Sequence, residues 1–197
     1  MSEEARILDV AIRHFAEYGY RGASIRKIAD ECRISHGKIH KMWPSKVDLL
    51  ESSLNRAEHL ALAEGILWGG GRPVEVDLVS DMLVLLRFTR IEDSSPVKLL
   101  ARLNVEREEE IEHIVGPRIR EGIKLLMNAM PSAKPGLSSD PRSRAALLSS
   151  FITGWVLLNG TFKDDFGLCE REFSVLRSEV MDMILSALVL PRPGKML

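Results

Sequence analysis

The sequence predicts an all-α protein, and three observations support this prediction. Apolar residues recur at i, i+3, i+4 and i+7 in most segments, which is the spacing of an amphipathic helix. Serines that can cap helices and prolines that can start them precede these segments. No alternating strand pattern or internal repeat competes with this reading. The chain has 197 residues, 45% of them hydrophobic and 28% charged, so it can bury a core of its own.

The first four helices are predicted from their ends. Gly19 is expected to close the first helix in a left-handed conformation, and Asp48 can complete a capping box at the start of the fourth. The capping residues are Ser2, Ser24, Ser35 and Ser45.

Five more helices are predicted beyond the glycines at positions 69 to 71, which mark a loop. Four of them are expected to begin at prolines, because proline suits the first position of a helix. These prolines are Pro73, Pro96, Pro117 and Pro141. With the final segment, this gives about nine helices in all.

The penultimate predicted helix is apolar on nearly every side from residue 145 to 158. A surface helix of a monomer should have a polar face, so both sides of this helix need a cover. A second copy of the chain is the favoured cover, since symmetric pairs are the commonest soluble oligomers. A central core helix is the alternative. The expected dimer interface consists of Leu148, Phe151, Ile152, Trp155, Phe173, Leu176, Val180, Ile184 and Ala187.

Composition argues for a soluble, cytoplasmic protein without a metal or cofactor. The two cysteines, Cys32 and Cys169, lie far apart and have no metal-ligand spacing, so free thiols are expected. The N-terminus has no targeting pattern. The longest uncharged run is shorter than a bilayer span and is interrupted by polar residues and glycine.

Positive charge is concentrated in one short part of the chain. Residues 21–46 contain seven basic residues and two acidic ones, although the whole chain has a net charge of −1. A basic patch on an otherwise acidic chain is typical of a polyanion-binding surface, and a solvated face is the alternative.

The segment SIRKIADECRISHGKIHKMWPSK, residues 24–46, has the layout of a helix-turn-helix. In that motif the second helix enters the DNA major groove with its N-terminus first. Gly37 allows close approach, Ser35 and Lys38 can bond to base edges, and Lys46 lies where a helix N-terminus favours a phosphate. The expected DNA-binding residues are Ser24, Arg26, Arg33, Ser35, His36, Gly37, Lys38, His40, Lys41 and Lys46.

Several landmarks in this part of the chain recur together in one known family. They are Phe15, Gly19 and Tyr20, then Ser24, Ile28 and Ala29, then Ser35 and Gly37, and finally Trp43, Pro44, Ser45 and Lys46. Through them, residues 7–50 closely resemble the N-terminal domain of TetR-family transcriptional regulators. The chain departs from the usual family residues at Arg33, Lys38, His40 and Trp43, where Gly, Thr, Tyr and Phe are common.

The resemblance implies a DNA-binding domain over residues 1–46 and a helical ligand-binding and dimerisation domain over residues 47–197. It further implies a homodimeric repressor on a palindromic operator, released when a small, largely apolar effector binds the second domain. Apolar residues with a few polar ones could line such a pocket, although a helical core looks the same. The candidates are Trp68, Met82, Leu86, Phe88, Arg90, Leu103, Asn104, Met127, Phe151, Trp155 and Asn159.

Two other functions compete with this interpretation. Glu110 and His113 match half of a di-iron motif, but no second copy exists, so an enzyme is not expected. His36 and His40 are spaced to share a metal, yet they have no third ligand nearby in sequence. A DNA-binding protein without a ligand, in an architectural or chromosome-related role, is the second alternative.

Overall fold

The computed structural model describes residues 2–63, 95–106, 108–129 and 140–188, and within these ranges every regular element is a helix. The all-α prediction is confirmed. The helix expected after Pro73 lies outside the described residues. The eight described helices are α1 (Glu3–Gly22), α2 (Ile25–Glu31), α3 (His36–Met42), α4 (Lys46–Ala63), α5 (Ser95–Val105), α6 (Glu109–Ala129), α7 (Pro141–Asp165) and α8 (Glu170–Leu188).

The predicted serine caps are all present. The hydroxyl oxygens of Ser2, Ser24 and Ser35 accept hydrogen bonds from the backbone N–H groups three residues on, at 3.1, 3.5 and 3.3 Å. At the start of α4, the Asp48 N–H donates to Ser45 Oγ at 3.1 Å and the Ser45 N–H donates to Asp48 Oδ2 at 2.9 Å. This reciprocal pair is the predicted capping box.

One predicted helix start is wrong. Pro117 lies inside α6 rather than at its beginning, because the helix already starts at Glu109. The acidic first turn of α6, with Glu109, Glu110 and Glu112, suits the positive end of the helix dipole. Proline removes one backbone hydrogen bond inside a helix. The side chain of Arg118, the residue after Pro117, donates from Nη1 to the carbonyl of Ile114 in the preceding turn at 2.7 Å.

The described residues divide into two compact units. The N-terminal unit contains α1 to α5 and α6 as far as Arg118, and the C-terminal unit contains the rest of α6 with α7 and α8. The core of the N-terminal unit is built by side chains that are almost fully buried, namely Ile7, Ile12, Phe15, Ile28, Ile39, Leu49, Leu50, Leu54, Leu99, Leu103 and Ile111.

The C-terminal unit has a smaller core between α7 and α8. Its fully enclosed members are Ala145, Leu148, Trp155, Phe173 and Met181. The Trp155 ring stacks on Phe173 with centroids 6.2 Å apart. Partly buried residues packed against this cluster are Met127, Phe151, Ile152, Phe162, Leu168, Leu176, Val180 and Ile184.

By length and composition alone, α7 could also cross a membrane, since an 18-residue window has a mean hydropathy of 1.4. Two polar residues, Arg144 and Asn159, are buried in this helix, and the Asn159 amide donates to the carbonyls of Trp155 and Val156. An apolar helix of this kind also occurs in the core of helical bundles.

Candidate nucleic-acid interface

The turn between α2 and α3 is built around a left-handed arginine. Arg33 has φ +54°, and the Ile34 N–H donates back to the Ala29 carbonyl at 3.1 Å. A side chain in this conformation costs about 1–2 kcal/mol relative to glycine. Cys32, directly before it, is buried, which fixes the turn from inside. The Arg33 side chain is exposed beside α3.

Helix α3 has one buried anchor and an exposed polar side. Ile39 is fully buried, whereas His36, Gly37, Lys38 and His40 are exposed, as is Lys41. A Cβ atom placed on Gly37 would find nothing within 4 Å. The described chain therefore does not require glycine for its own packing there, which leaves this side of α3 open to close approach by another molecule.

Lys38 is held by an acidic residue from the first turn of α1. Its Nζ lies 2.7 Å from Glu3 Oε1 and 2.8 Å from Glu3 Oε2. Both side chains are almost half exposed, so water screens this pair and its net strength is small. A phosphate or base approaching α3 would compete with Glu3 for the Lys38 ammonium. Sequence reasoning missed Glu3, because a first-turn acid reads only as a favourable helix-dipole residue.

The two histidines of α3 contact each other. Their ring centroids are 4.3 Å apart in an edge-to-face arrangement, and His40 Nδ1 lies 3.3 Å from the Pro44 carbonyl oxygen. When Nδ1 donates to that carbonyl, Nε2 of His40 is left as a hydrogen-bond acceptor.

Lys46 is partly buried at the start of α4. Its Nζ donates to the Arg21 carbonyl at 3.2 Å and lies 4.9 Å from the centroid of the Tyr20 ring. Burial lowers the pKa of the Lys46 ammonium, and the Glu110 carboxylate opposes this shift. The Trp43 indole N–H donates to Ser52 Oγ at 2.9 Å, which ties the end of α3 to α4.

The ten predicted DNA-binding residues lie close together in sequence, on α2, α3, the turn between them and the start of α4. Ser24 and Lys46 are half-buried and the other eight are exposed. Two of the bases within residues 21–46 are paired with acids outside that range, Lys38 with Glu3 and Arg21 with Glu108. The positive surface is thus smaller than the sequence count suggests.

The predicted ligand pocket is only partly within the described residues. Leu103 is buried in the N-terminal unit, Asn104 is half-buried there, and Met127, Phe151, Trp155 and Asn159 belong to the C-terminal unit. The remaining candidates, Trp68, Met82, Leu86, Phe88 and Arg90, lie outside the described residues. A groove of about 390 Å³ in the C-terminal unit has a different lining, made of Phe166, Leu168, Arg171, Glu172, Val175, Leu176 and Glu179.

The predicted dimer residues turn mostly toward the interior of the C-terminal unit. Leu148, Trp155 and Phe173 are enclosed between α7 and α8, and Phe151, Ile152, Leu176, Val180 and Ile184 pack around them. The side chain of Ala187 lies outside the described residues. The large apolar side chains that α7 and α8 leave exposed are instead Leu147, Leu158, Val175 and Met183.

Of the two residues of the half-motif, Glu110 and His113, only Glu110 has a structural role among the described contacts. Burial raises the pKa of the Tyr20 phenol, and its hydrogen bond to the Glu110 carboxylate raises it further. His113 is exposed. Across residues 2–63, 95–106, 108–129 and 140–188, no three His, Cys, Asp or Glu side chains converge in a way that could hold a metal.

The N-terminal helices match a known family. Residues 7–52 match the family model of the bacterial regulatory proteins of the tetR family. Over 53 residues the chain is 43% identical to the HTH-type transcriptional regulator YuxN of Bacillus subtilis (strain 168). That alignment covers 27% of this chain and 18% of YuxN, so the chain matches less than a fifth of the length of this relative.

Solved structures match nearly the whole chain. AibR, solved in complex with isovaleryl coenzyme A and operator DNA, has a TM-score of 0.66 at 16% identity, with 95% of this chain and 98% of AibR covered. A transcriptional regulator from Saccharomonospora viridis in complex with choline has a TM-score of 0.66 at 20% identity, with 96% and 98% covered. At such identities these structures establish the fold alone. Residues 7–52 therefore belong to the tetR family of bacterial regulatory proteins, and the fold of the chain is that of solved TetR-family regulators.

Proposed function

We propose that this protein is a cytoplasmic transcriptional repressor that binds a palindromic operator as a homodimer. Helix α3 enters the major groove, and the N-termini of α2 and α4 contact phosphates on either side. A small, largely apolar effector bound by the C-terminal helices then favours a conformation with reduced operator affinity.

The single observation that carries this proposal is the exposed side of α3. The helix is anchored by one buried residue, Ile39, while its polar and basic residues are exposed around an unobstructed Gly37. A helix-turn-helix needs this arrangement, because the second helix must reach base edges without clashes from its own domain.

Homodimerisation is supported by the exposed apolar residues of the C-terminal unit. Leu147 and Leu158 lie about three helical turns apart and therefore on the same side of α7. Both are close to half exposed, at 52% and 46%. A second copy of α7 and α8 would cover them, and a two-fold pair can present two α3 helices about one helical turn of DNA apart.

The effector is a proposal drawn from the neighbours. AibR was solved with isovaleryl coenzyme A and operator DNA, and the Saccharomonospora viridis regulator with choline. These ligands differ in chemistry, so they support the presence of an effector site and not its identity. A thermal-shift screen against acyl-coenzyme A thioesters, quaternary amines and aromatic compounds should yield a stabilising ligand. A stabilising ligand that leaves operator affinity unchanged would contradict ligand control of DNA binding.

Two lysine variants test the DNA interface on a duplex enriched by the parent protein from a random library. Lys46→Ala should weaken binding to every duplex by about 1 kcal/mol, roughly fivefold. It should also reduce the slope of log affinity against log salt concentration by about one, since about one fewer counterion is released. Lys38→Ala should lower the preference for the enriched duplex, because a base contact contributes about 1–3 kcal/mol of discrimination. Mobility-shift titrations at fixed salt measure both effects.

The matched control is Lys124→Ala. Lys124 is an exposed lysine of α6 that pairs with Glu121 in the C-terminal unit, so its removal changes the net charge equally without altering the interface. If Lys46→Ala and Lys38→Ala both bind as Lys124→Ala does, the DNA interface assigned to α3 and α4 is wrong.

A further inference from the structure

Helix α1 is broken near its C-terminal end. Gly19 has φ +70° and ψ 178°, which is non-helical, although the neighbouring residues on both sides are helical. In an unbroken helix the Tyr20 N–H would donate to the Ala16 carbonyl four residues back. The break separates these two groups, and both lie at or near buried positions where an unpaired backbone group is costly.

Two side chains from one turn at the end of α5 replace the broken bond. The Tyr20 N–H donates to Glu106 Oε2 at 2.9 Å, and Arg102 Nε donates to the Ala16 carbonyl at 2.7 Å. Arg102 and Glu106 also face each other, with Arg102 Nη1 at 3.8 Å from Glu106 Oε1. We call this pair the Arg102–Glu106 clip, because it spans the gap between the two separated backbone groups.

The fit at Gly19 is too close for any other residue. An added Cβ would lie 1.9 Å from Glu106 Oε1 and 2.8 Å from its carboxyl carbon. Glycine is thus required here both for its positive φ and for the space that the carboxylate occupies. Glycine can also adopt ordinary helical angles, so residue 19 itself does not prevent α1 from closing its hydrogen bond if Glu106 withdraws.

The residues that follow the break lead directly to the proposed DNA interface. The Ala23 N–H donates to the Gly19 carbonyl at 3.1 Å, and the next residue is Ser24, the cap of α2. Tyr20 and Arg21 together hold Lys46, through the ring face and the carbonyl oxygen respectively. The direction of α1 after Gly19 therefore sets the positions of Ser24 and Lys46.

From these contacts we infer that Arg102 and Glu106 are positioning residues for DNA binding. The clip holds the break in α1 open, which orients Ser24 and Lys46 toward the phosphates. A displacement of α5 removes both side chains, allows Tyr20 to bond to Ala16, and moves these two phosphate contacts. The inference rests on the proposed DNA-binding function, and it makes α5 the helix that holds the break in α1 open.

Two substitutions of Glu106 distinguish the effect of its side-chain length from the effect of its charge. Glu106→Asp keeps the charge but shortens the side chain, so its carboxylate no longer reaches the Tyr20 N–H. Glu106→Gln loses the charge but keeps an oxygen at the same distance. We expect Glu106→Asp to weaken affinity for the enriched duplex about tenfold, in the usual range of allosteric coupling, and Glu106→Gln to bind as the parent does.

Hydrogen exchange gives a second readout that a general loss of stability does not mimic. The Tyr20 amide should exchange faster in Glu106→Asp than in the parent, whereas the Ile28 amide, which donates to Ser24, should remain protected. Glu109→Gln, at an exposed acid of the first turn of α6, is the control and should change neither readout. If Glu106→Asp does not fold, Arg102→Met removes the other half of the clip and should give the same tenfold loss.

The outcomes distinguish this inference from the function it rests on. A parent protein that enriches no duplex would overturn the proposed DNA binding itself. A parent that binds, with Glu106→Asp and Arg102→Met binding equally well, would overturn the clip alone. The clip also fails if Glu106→Gln is weakened as much as Glu106→Asp, because the carboxylate would then act through its charge and not through its reach to Tyr20.

Discussion

The N-terminal and C-terminal units differ in how they bury their large apolar side chains. In the N-terminal unit the helices bury their large aliphatic residues against one another, and ion pairs such as Arg56–Asp9, at 2.6 and 2.8 Å, join separate helices. In the C-terminal unit α7 and α8 enclose a small cluster and leave Leu147, Leu158 and Met183 facing outward. In the proposed homodimer, a second copy of the chain would cover the outward-facing apolar residues of the C-terminal unit.

Polar side chains bond to backbone groups in both units. In the N-terminal unit they do so through the serine caps, the Lys46 bond to Arg21 and the Arg102–Glu106 clip, and in the C-terminal unit through Asn159. In the N-terminal unit Arg118 of α6 also donates to the side chains of Glu58 and Asn55 of α4. Such contacts fix the directions of short helices. A surface that reads DNA requires this, because its side chains must be positioned accurately against the bases.

The largest expected effect is on the N-terminal unit, from Gly19→Ala. The added methyl group meets the Glu106 carboxylate, and alanine resists the positive φ at this position. The two costs together are roughly 2–5 kcal/mol of unfolding free energy. Chemical denaturation followed by circular dichroism measures the change.

Gly37→Ala is the matched control for that experiment. Gly37 lies in α3 with open space around it, so the new methyl group should raise the unfolding free energy by about 0.5–1 kcal/mol. Equal stabilities for the two alanine variants would mean that Gly19 is not held open by its neighbours, and the clip would lose its structural basis.

A smaller effect, on assembly rather than on folding, is expected in the C-terminal unit from Leu158→Glu. Burying a leucine is worth about 1.5–3 kcal/mol, so a charge at this site should weaken dimerisation at least tenfold while each subunit stays folded. Val105→Glu changes an equally apolar residue of the N-terminal unit that is 60% exposed, and it should leave the dimer intact. Sedimentation equilibrium distinguishes these results; a monomeric Val105→Glu with a dimeric Leu158→Glu would reverse the roles assigned to the two units.

Features that depend on near neighbours in sequence were predictable. The caps at Ser24 and Ser35 and the capping box of Ser45 and Asp48 follow from local hydrogen-bonding chemistry. Gly19 has the expected positive φ, but it breaks α1 and does not end it, because the helix resumes as far as Gly22. Pro117 was placed wrongly because proline marks helix starts only on average, and the acidic residues ahead of it already begin α6.

Contacts between distant residues were not predictable. Nothing near Glu106 in sequence indicates that its carboxylate accepts from the Tyr20 N–H, 86 positions away. Similarly, a helix that is apolar on every side gives no signal for which side is enclosed, so the residues expected at a dimer interface included Leu148 and Trp155, which face the interior of their own unit. The spacing of apolar residues identifies a face of a helix, but the packing of the folded chain decides what covers that face.

The most direct test is to determine the symmetry of the DNA that the parent protein enriches from random duplexes. A homodimer with two α3 helices in the major groove should enrich an inverted repeat whose half-sites are about one helical turn apart, roughly 10–10.5 base pairs from centre to centre or a multiple of this. Enrichment of a single asymmetric site, or of no sequence at all at low salt, would contradict the claim that two copies of α3 read the major groove together.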